Sequence, residues 1–595
     1  MTVDPNSAAN IKDFQLLRFH FNWTIDFATK TIRGYVEQHF IKKTDCTRLV
    51  LDARNLKIDS VQVLSKPCNY KIEAAPFGEK LVIELNNVLD EFNLRIYYET
   101  TKGCKALQWL EPHQTAGQQQ PFMFSQCQAI NARSLFPCMD TPAVKAPYSA
   151  DVSVVGQDGL TVLMSANKRT KQGSFHFEQT MPVPAYLVAI ACGTIVSRKI
   201  GARSTLWCEQ ELLERASFEF SQTDDFIKTA EDIVGPYRWE IYDFLVLPAS
   251  FPYGGMENPC LTFLTPSLIA GDRSLVSTLA HEISHSWTGN LVSCSSWEHF
   301  WLNEGFTRFL ERKIIGRLSG EPVAQLGAHL GLGHLQMSIA QLSDSGMVHA
   351  TALVPDLKET DPDDAFSGVP YEKGYAFLFY LEHLLGGRAV FEPYLRAHIE
   401  HFAEKSIDTV EWRQFLFEYF HEQEEVLKEV DWNGWLYGFG MMPSIPAYDR
   451  SLLIPCESFF QTLIENELFD EALFTKLSPI QQMILLDMLA QRAKGGNLIS
   501  RNCLAEIDAR CDLSHSGNVE IGLHWFLLCI RAGYEPAYQA AINYANSHGR
   551  MKYCRPIYRE MYLRDSSLAR QSFLAHGSFF HPIAHEMISK DLGMQ

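Results

Sequence analysis

One dense group of residues has the types and spacing for metal chemistry. In His281-Glu282-Ile283-Ser284-His285, two histidines stand four positions apart. On a helix this spacing puts both imidazoles on one face, about one turn apart. Two ring nitrogens so placed suit a single Zn2+ at about 2.0–2.1 Å each. Glu282, between them, is within reach of a water at such a site. Eighteen residues separate His285 from Glu304, which lies in Trp301-Leu302-Asn303-Glu304-Gly305-Phe306. The apolar run around Glu304 predicts the start of a second helix packed on the first, with the carboxylate aimed at the same point. Two histidines and one carboxylate leave a fourth position open, as a catalytic zinc requires. Upstream, Phe251-Pro252-Tyr253 leads into Gly254-Gly255-Met256-Glu257-Asn258. Paired glycines let a backbone approach another chain closely, so an extended peptide can add there as a strand. Glu257 would then offer its carboxylate to a positive group such as a free N-terminal amine. Taken alone, the segment also fits an ordinary glycine-punctuated loop.

These residues need a scaffold, and the chain changes texture three times. Residues 1–197 read as an antiparallel β domain: Leu81, Ile83 and Leu85 alternate with their neighbours, as do Leu94, Ile96 and Tyr98, with turns at Asn86-Asn87 and Gln157-Asp158-Gly159. Residues 198–440 are mixed, with helical runs at Leu275–Ala280 and Ala376–Leu381 and a short strand at Leu245–Leu247. Pro443, Pro446 and Pro455 prevent a long helix from crossing 441–456, which reads as an interdomain linker. Residues 457–595 read as all-helical; Ser478-Pro479-Ile480-Gln481 is a helix start, and Ile480, Ile484, Leu485, Met488 and Leu489 mark an apolar face. The expected class is therefore multidomain α+β.

Composition bounds the function. The chain has 595 residues, 46% hydrophobic and 21% charged, the balance of a packed globular protein. Its net charge of −18 argues against nucleic acid and against an anionic membrane surface. The polar start Met1–Asn10 lacks a basic region followed by an apolar core, so no secretory signal is expected. The longest apolar stretch, Tyr186–Val196, falls short of the roughly 20 residues of a membrane helix. Fourteen cysteines without a CxxC pair predict reduced, buried thiols in a cytoplasmic protein.

In combination, HExxH, eighteen residues, Glu and an upstream GxMEN resemble the gluzincin zinc aminopeptidases, peptidase family M1. The GGMEN form resembles their leukotriene A4 hydrolase and aminopeptidase B branch. Matching segments extend the resemblance: Gln126-Cys127-Gln128-Ala129, Leu135 to Pro142, Val369-Pro370-Tyr371-Glu372-Lys373-Gly374 and Gly549-Arg550-Met551-Lys552. It implies a saddle-like β N-terminal domain, a thermolysin-like α/β catalytic domain and a C-terminal domain of stacked helix pairs. One Zn2+ per chain is implied on His281, His285 and Glu304, with Glu282 as general base and Tyr371 as donor to the developing oxyanion. Tyr253, Gly254, Gly255, Met256 and Glu257 would take the substrate backbone and amine, assisted by Gln126 and Gln128. Arg550 and Lys552 would bind a carboxylate, and Asp363 would select basic first residues. The implied activity is removal of the N-terminal residue from short peptides, arginyl tripeptides among them, with hydrolysis of the lipid epoxide leukotriene A4 as a second activity. An aminopeptidase with weak or no epoxide hydrolysis is the alternative. Phe366 departs from the vertebrate leukotriene A4 hydrolases, which carry tyrosine there. The state, monomer or homodimer, stays open. An intact set of these groups argues against a silent scaffold.

Overall fold

We describe a computed structural model of the chain, covering residues 4–85, 90–496 and 499–594. The Asn86-Asn87 turn lies outside the described residues. An eight-stranded sheet dominates the N-terminal region. Its neighbouring strands are β1 (Phe14–Asp26), β2 (Thr31–Lys42) and β3 (Glu91–Thr100); a separate four-stranded sheet contains β4 (Phe122–Ser125). β5 (Lys145–Val155) and β6 (Ser174–Pro184) extend the large sheet on the far side of β1. Alternation does what the sequence predicts: Phe19, Phe21, Trp23 and Ile25 of β1 are buried, and Leu94, Ile96 and Tyr98 of β3 are too. One pairing differs from the antiparallel expectation. β1 and β5 run parallel, with Phe19 opposite Tyr148. The long intervening chain supplies the crossover that a parallel pair needs and a hairpin cannot.

The central region is built on a five-stranded sheet that includes β7 (Tyr242–Val246), β8 (Gly255–Met256) and β9 (Thr262–Leu264). β7 and β9 are parallel; β8 lies antiparallel to β9 and forms the sheet edge. α1 (Ser277–Ser284) packs on β8, α2 (Trp301–Ser319) packs on α1, and α3 (Glu321–Asp344) and α4 (Gly374–Leu384) pack on α2. No helix or strand crosses the stretch from Tyr437 to Leu453. Pro455 then sits in the first turn of α5 (Ile454–Asn466), where its missing N–H costs nothing. α6 (Pro479–Lys494), α7 (Val519–Ala532) and α8 (Met551–Arg564) belong to the helical C-terminal region. At the start of α6, Gln481 Oε1 accepts from the Ser478 backbone N–H at 3.0 Å, the reciprocal half of a capping box.

Burial separates only the helical region from the rest. One continuous core runs through the β region and the central region, and a second fills the helical region. The expected apolar face of α6 divides: Leu485 and Leu489 enter the helical core, while Ile484 packs with Leu326 of α3 and Cys456 of α5 at the joint. The fourteen cysteines are free thiols, eleven of them buried. No helix among the described residues is long and apolar enough to cross a membrane.

Candidate active site

The first turn of α2 brings Glu304 against the buried C-terminal end of α1, which carries the histidines. His281 Nε2 lies 3.3 Å and His285 Nε2 3.4 Å from Glu304 Oε2. Tetrahedral ligands at about 2.0–2.1 Å from one ion stand about 3.3 Å apart, which matches. His285 follows the last residue of α1 but keeps helical dihedrals, so its ring stays on the same face. Each ring is turned by its other nitrogen. His281 Nδ1 is 3.0 Å from Glu311 Oε2, itself held by Arg308 Nη1 at 2.6 Å, and His285 Nδ1 is 2.9 Å from the Thr288 carbonyl oxygen. Such partners fix the tautomer and aim Nε2 at a metal. Glu304 Oε2 is buried without a hydrogen-bond donor. A buried carboxylate oxygen in that state is costly unless a cation meets it, so the residues present fit Zn2+.

The electrostatics point the same way. Glu257, Glu282 and Glu304 are each about 5% exposed or less, and Glu257, Glu282 and His285 themselves cluster within 4.8 Å. Burial raises the Glu282 carboxyl to about 7. Burial also raises the Glu304 carboxyl, but the two imidazoles more than reverse this and hold it at about 2. His285 would be lowered by burial, yet Glu304 and Glu257 pull it up to about 10. Three buried carboxyls around two imidazoles make a donor set that suits a divalent cation.

The glycine pair at the start of β8, Gly254 before it and Gly255 within it, has a local reason. A Cβ at Gly255 would stand 2.4 Å from the Glu282 carboxyl carbon, and one at Gly254 would stand 2.5 Å from Arg550 Nη2. Both residues let the edge strand lie flat against the protein's own site residues, a close approach the sequence assigned to substrate. Met256 Sδ accepts from Gln126 Nε2 at 3.2 Å, and Glu257 Oε1 accepts from Gln128 Nε2 at 3.4 Å. Gln126 Oε1 remains buried and unpartnered. Both glutamines follow β4, so the β region supplies one wall of the site.

Tyr371 occupies a π-helical turn, Val369–Lys373, leading into α4. Its ring stacks on His281 with centroids 5.9 Å apart, and the Arg308 guanidinium lies 5.8 Å from its centre. Burial, then the charges of Glu304 and Glu257, push the phenol well above its ordinary value, so it stays protonated. Phe366 fills the gap between Tyr371 and Tyr253, at 6.1 and 5.6 Å. Asp363 Oδ2 accepts from Asn131 Nδ2 at 3.1 Å; burial, then neighbouring Asp361, raise its carboxyl to about 7. Gln128, Tyr253, Asp363 and Phe366 line a cavity that continues along Trp297, Phe300 and Leu353.

Arg550 and Lys552 do not form a solvated basic face. Glu520 Oε1 lies 2.7 Å from Lys552 Nζ and 3.7 Å from Arg550 Nη1, and Tyr553 Oη donates to it at 3.0 Å. One carboxylate thus holds two cations, leaving a net positive charge where Arg550 meets Gly254. Sequence reasoning missed Glu520, which lies on α7, and Glu311. Glu311 carried a readable signal: it follows Glu304 by seven residues, two turns along one helix face. Glu520 carried none, because its approach to α8 is set by helix packing.

Residues 17–187 match the peptidase M1 N-terminal domain, 218–435 the peptidase family M1 domain and 477–592 the leukotriene A4 hydrolase C-terminal domain. A leukotriene A-4 hydrolase of Xenopus laevis is 40% identical, with 99% of each chain covered. Leucine aminopeptidase 2 of Yarrowia lipolytica is 39% identical over 99% of this chain and 93% of its own. The solved structure of yeast LTA4 hydrolase in complex with bestatin superposes with a TM-score of 0.94 at 38% identity, covering 99% of this chain and 97% of that one.

Proposed function

Because the chain belongs to peptidase family M1 and carries the C-terminal domain of the leukotriene A4 hydrolases, we propose that its zinc site removes the first residue of short peptides through the residues assembled above. His281, His285 and Glu304 would hold the Zn2+. When bound, Zn2+ supplies Lewis acidity that polarises the scissile carbonyl and acidifies a water. Glu282 takes the proton of the attacking water on its carboxylate and returns it to the leaving amine. The Tyr371 hydroxyl donates to the carbonyl oxygen as negative charge develops there. Glu257, with Gln126 and Gln128, accepts from the substrate's free ammonium. The substrate backbone lies along β8, beside Tyr253 and across Gly254, Gly255 and Met256, and Arg550 with Lys552 binds the peptide carboxylate. Asp363 favours a basic first residue.

The observation that carries this reading is the convergence of three ligand atoms on one point, with Glu257 and Glu282 alongside. Its test is hydrolysis of arginyl tripeptides by the zinc-loaded chain, against the same peptides acetylated at the amine. Turnover of the free peptides only is expected; no turnover of either sinks the reading. The largely apolar cavity that Asp363 and Phe366 line supports a second activity, hydrolysis of leukotriene A4, because an acyl tail needs such a wall. Chromatography of the products of leukotriene A4 decides it: leukotriene B4 above the spontaneous background is expected, and only non-enzymatic diols would leave the peptidase alone. Free thiols, mostly buried, suit a reducing compartment such as the cytoplasm.

A further inference from the structure

Beyond α1 the chain doubles back. Gly289 takes a φ of +127°, and a Cβ there would stand 2.7 Å from His285 Nδ1. The reversal brings Asn290 against two separate parts of the site. Its backbone N–H donates to the His285 carbonyl at 3.0 Å. Its side-chain Nδ2 donates to the main-chain carbonyl of Glu257 at 2.7 Å. A carbonyl only accepts, so the amide orientation follows. From the other side, Lys145 Nζ donates to the carbonyls of Asn290 and Leu291, both at 3.0 Å. Asn290 is only 3% exposed.

One residue therefore touches the segment that ends in a metal ligand, the segment that carries the amine-facing carboxylate, and a lysine of the β region. Glu257 needs such a tie. It follows a two-residue strand at the sheet edge, and Gln128 reaches its carboxylate only at 3.4 Å. We propose that Asn290 is a positioning residue that sets the spacing between Glu257 and the metal ligands, and so restricts cleavage to the first residue; Lys145 holds its loop in place. The inference rests on Glu257 as the amine anchor. A misplacement of about 1 Å at such an anchor is worth about a hundred-fold in rate.

The test uses the zinc-loaded full chain and calorimetry with two ligands, leucine hydroxamate and 4-methylpentanohydroxamate. Both offer the same metal-binding group, and only the first carries an amine. The ratio of their affinities reads the amine anchor. Asn290→Ala is expected to cut that ratio about ten-fold while zinc content and affinity for the amine-free ligand hold, and adding it to Glu257→Gln is expected to lower the ratio no further. Lys145→Met should move the ratio the same way, and it decides alone if Asn290→Ala does not load zinc. A ratio changed by Glu257→Gln but not by Asn290→Ala, losses that add, or equal weakening of both ligands overturns the inference. A ratio unchanged by Glu257→Gln overturns the anchor reading and this inference with it.

Discussion

Glu282 and Asp363 are carboxyls that burial raises to about 7, and their surroundings give them different work. Glu282 faces the metal ligands, where a base able to take and return a proton near neutral pH is most effective. Glu282→Gln keeps the shape and removes the base; kcat should fall by about a thousand-fold or more, with zinc content by metal analysis unchanged. Retained turnover would remove Glu282 from the mechanism. Asp363 lies in the cavity wall and attracts a guanidinium only while ionised. As pH falls through about 7 it gains a proton and loses that attraction. The ratio of kcat/KM for arginyl over alanyl tripeptides should therefore drop between about pH 8 and about pH 6 and stay flat in Asp363→Asn. A wild-type ratio that does not move with pH would take selectivity away from Asp363. At this scale the sequence was informative about chemical type: which histidines, glutamates and tyrosine could serve as ligands, base and donor was legible, and the fold brings them together. The partners that orient them, Thr288 for His285 and Asn131 for Asp363, were not, because each is met through the fold.

The edge strand β8 shows how an element sets chemistry by what it lacks. Gly254, just before it, and Gly255 within it are both narrowly seated, but their neighbours differ. Beside Gly254 is the far end of a long guanidinium side chain; beside Gly255 is a short, buried carboxylate. Gly254→Ala should be absorbed by Arg550, raising KM for peptides with a free C-terminal carboxylate and changing kcat little. Gly255→Ala should displace Glu282 and lower kcat about a hundred-fold. Steady-state kinetics of the two variants separates these outcomes; equal effects would mean that β8 moves as a body. The helix α2 was legible in outline from its apolar run, and its first turn does carry Glu304. That it also delivers Arg308 and Glu311 to the site follows from helical periodicity once Glu304 is placed.

Across the whole molecule, three regions meet at the candidate site: the β region brings Gln126 and Gln128, the central region the residues that would hold zinc, the helical region Arg550. Tyr253 packs against both cores, so it sits on the seam. Zinc should tie stability to occupancy, since buried carboxylates lose their cation without it. Chelation should stop turnover and lower the melting temperature, an effect of about 4 kcal/mol when free zinc is a thousand-fold above Kd; zinc readdition should restore both, and an unchanged melting curve would contradict this. Glu520 links helices of the C-terminal region by charge. Burial would raise its carboxyl, but Lys552 and Arg550 hold it at about 2. Its contribution is therefore full above the ordinary glutamate range near 4.5 and is lost as pH falls from there toward about 2. Acid-unfolding curves should be less steep over that range in Glu520→Gln; curves that superpose would deny the ion cluster a role in stability. By itself the sequence determined what is periodic or local: the i, i+4 histidines, the glycine pair, the alternating strands and the proline-broken joint. Only the tertiary structure decided that β1 pairs parallel with β5, that β8 is an edge, that the glycines yield to Glu282 and Arg550, and that Glu520 claims both cations. Those contacts join residues remote along the chain, and packing, rather than any local pattern, selects them.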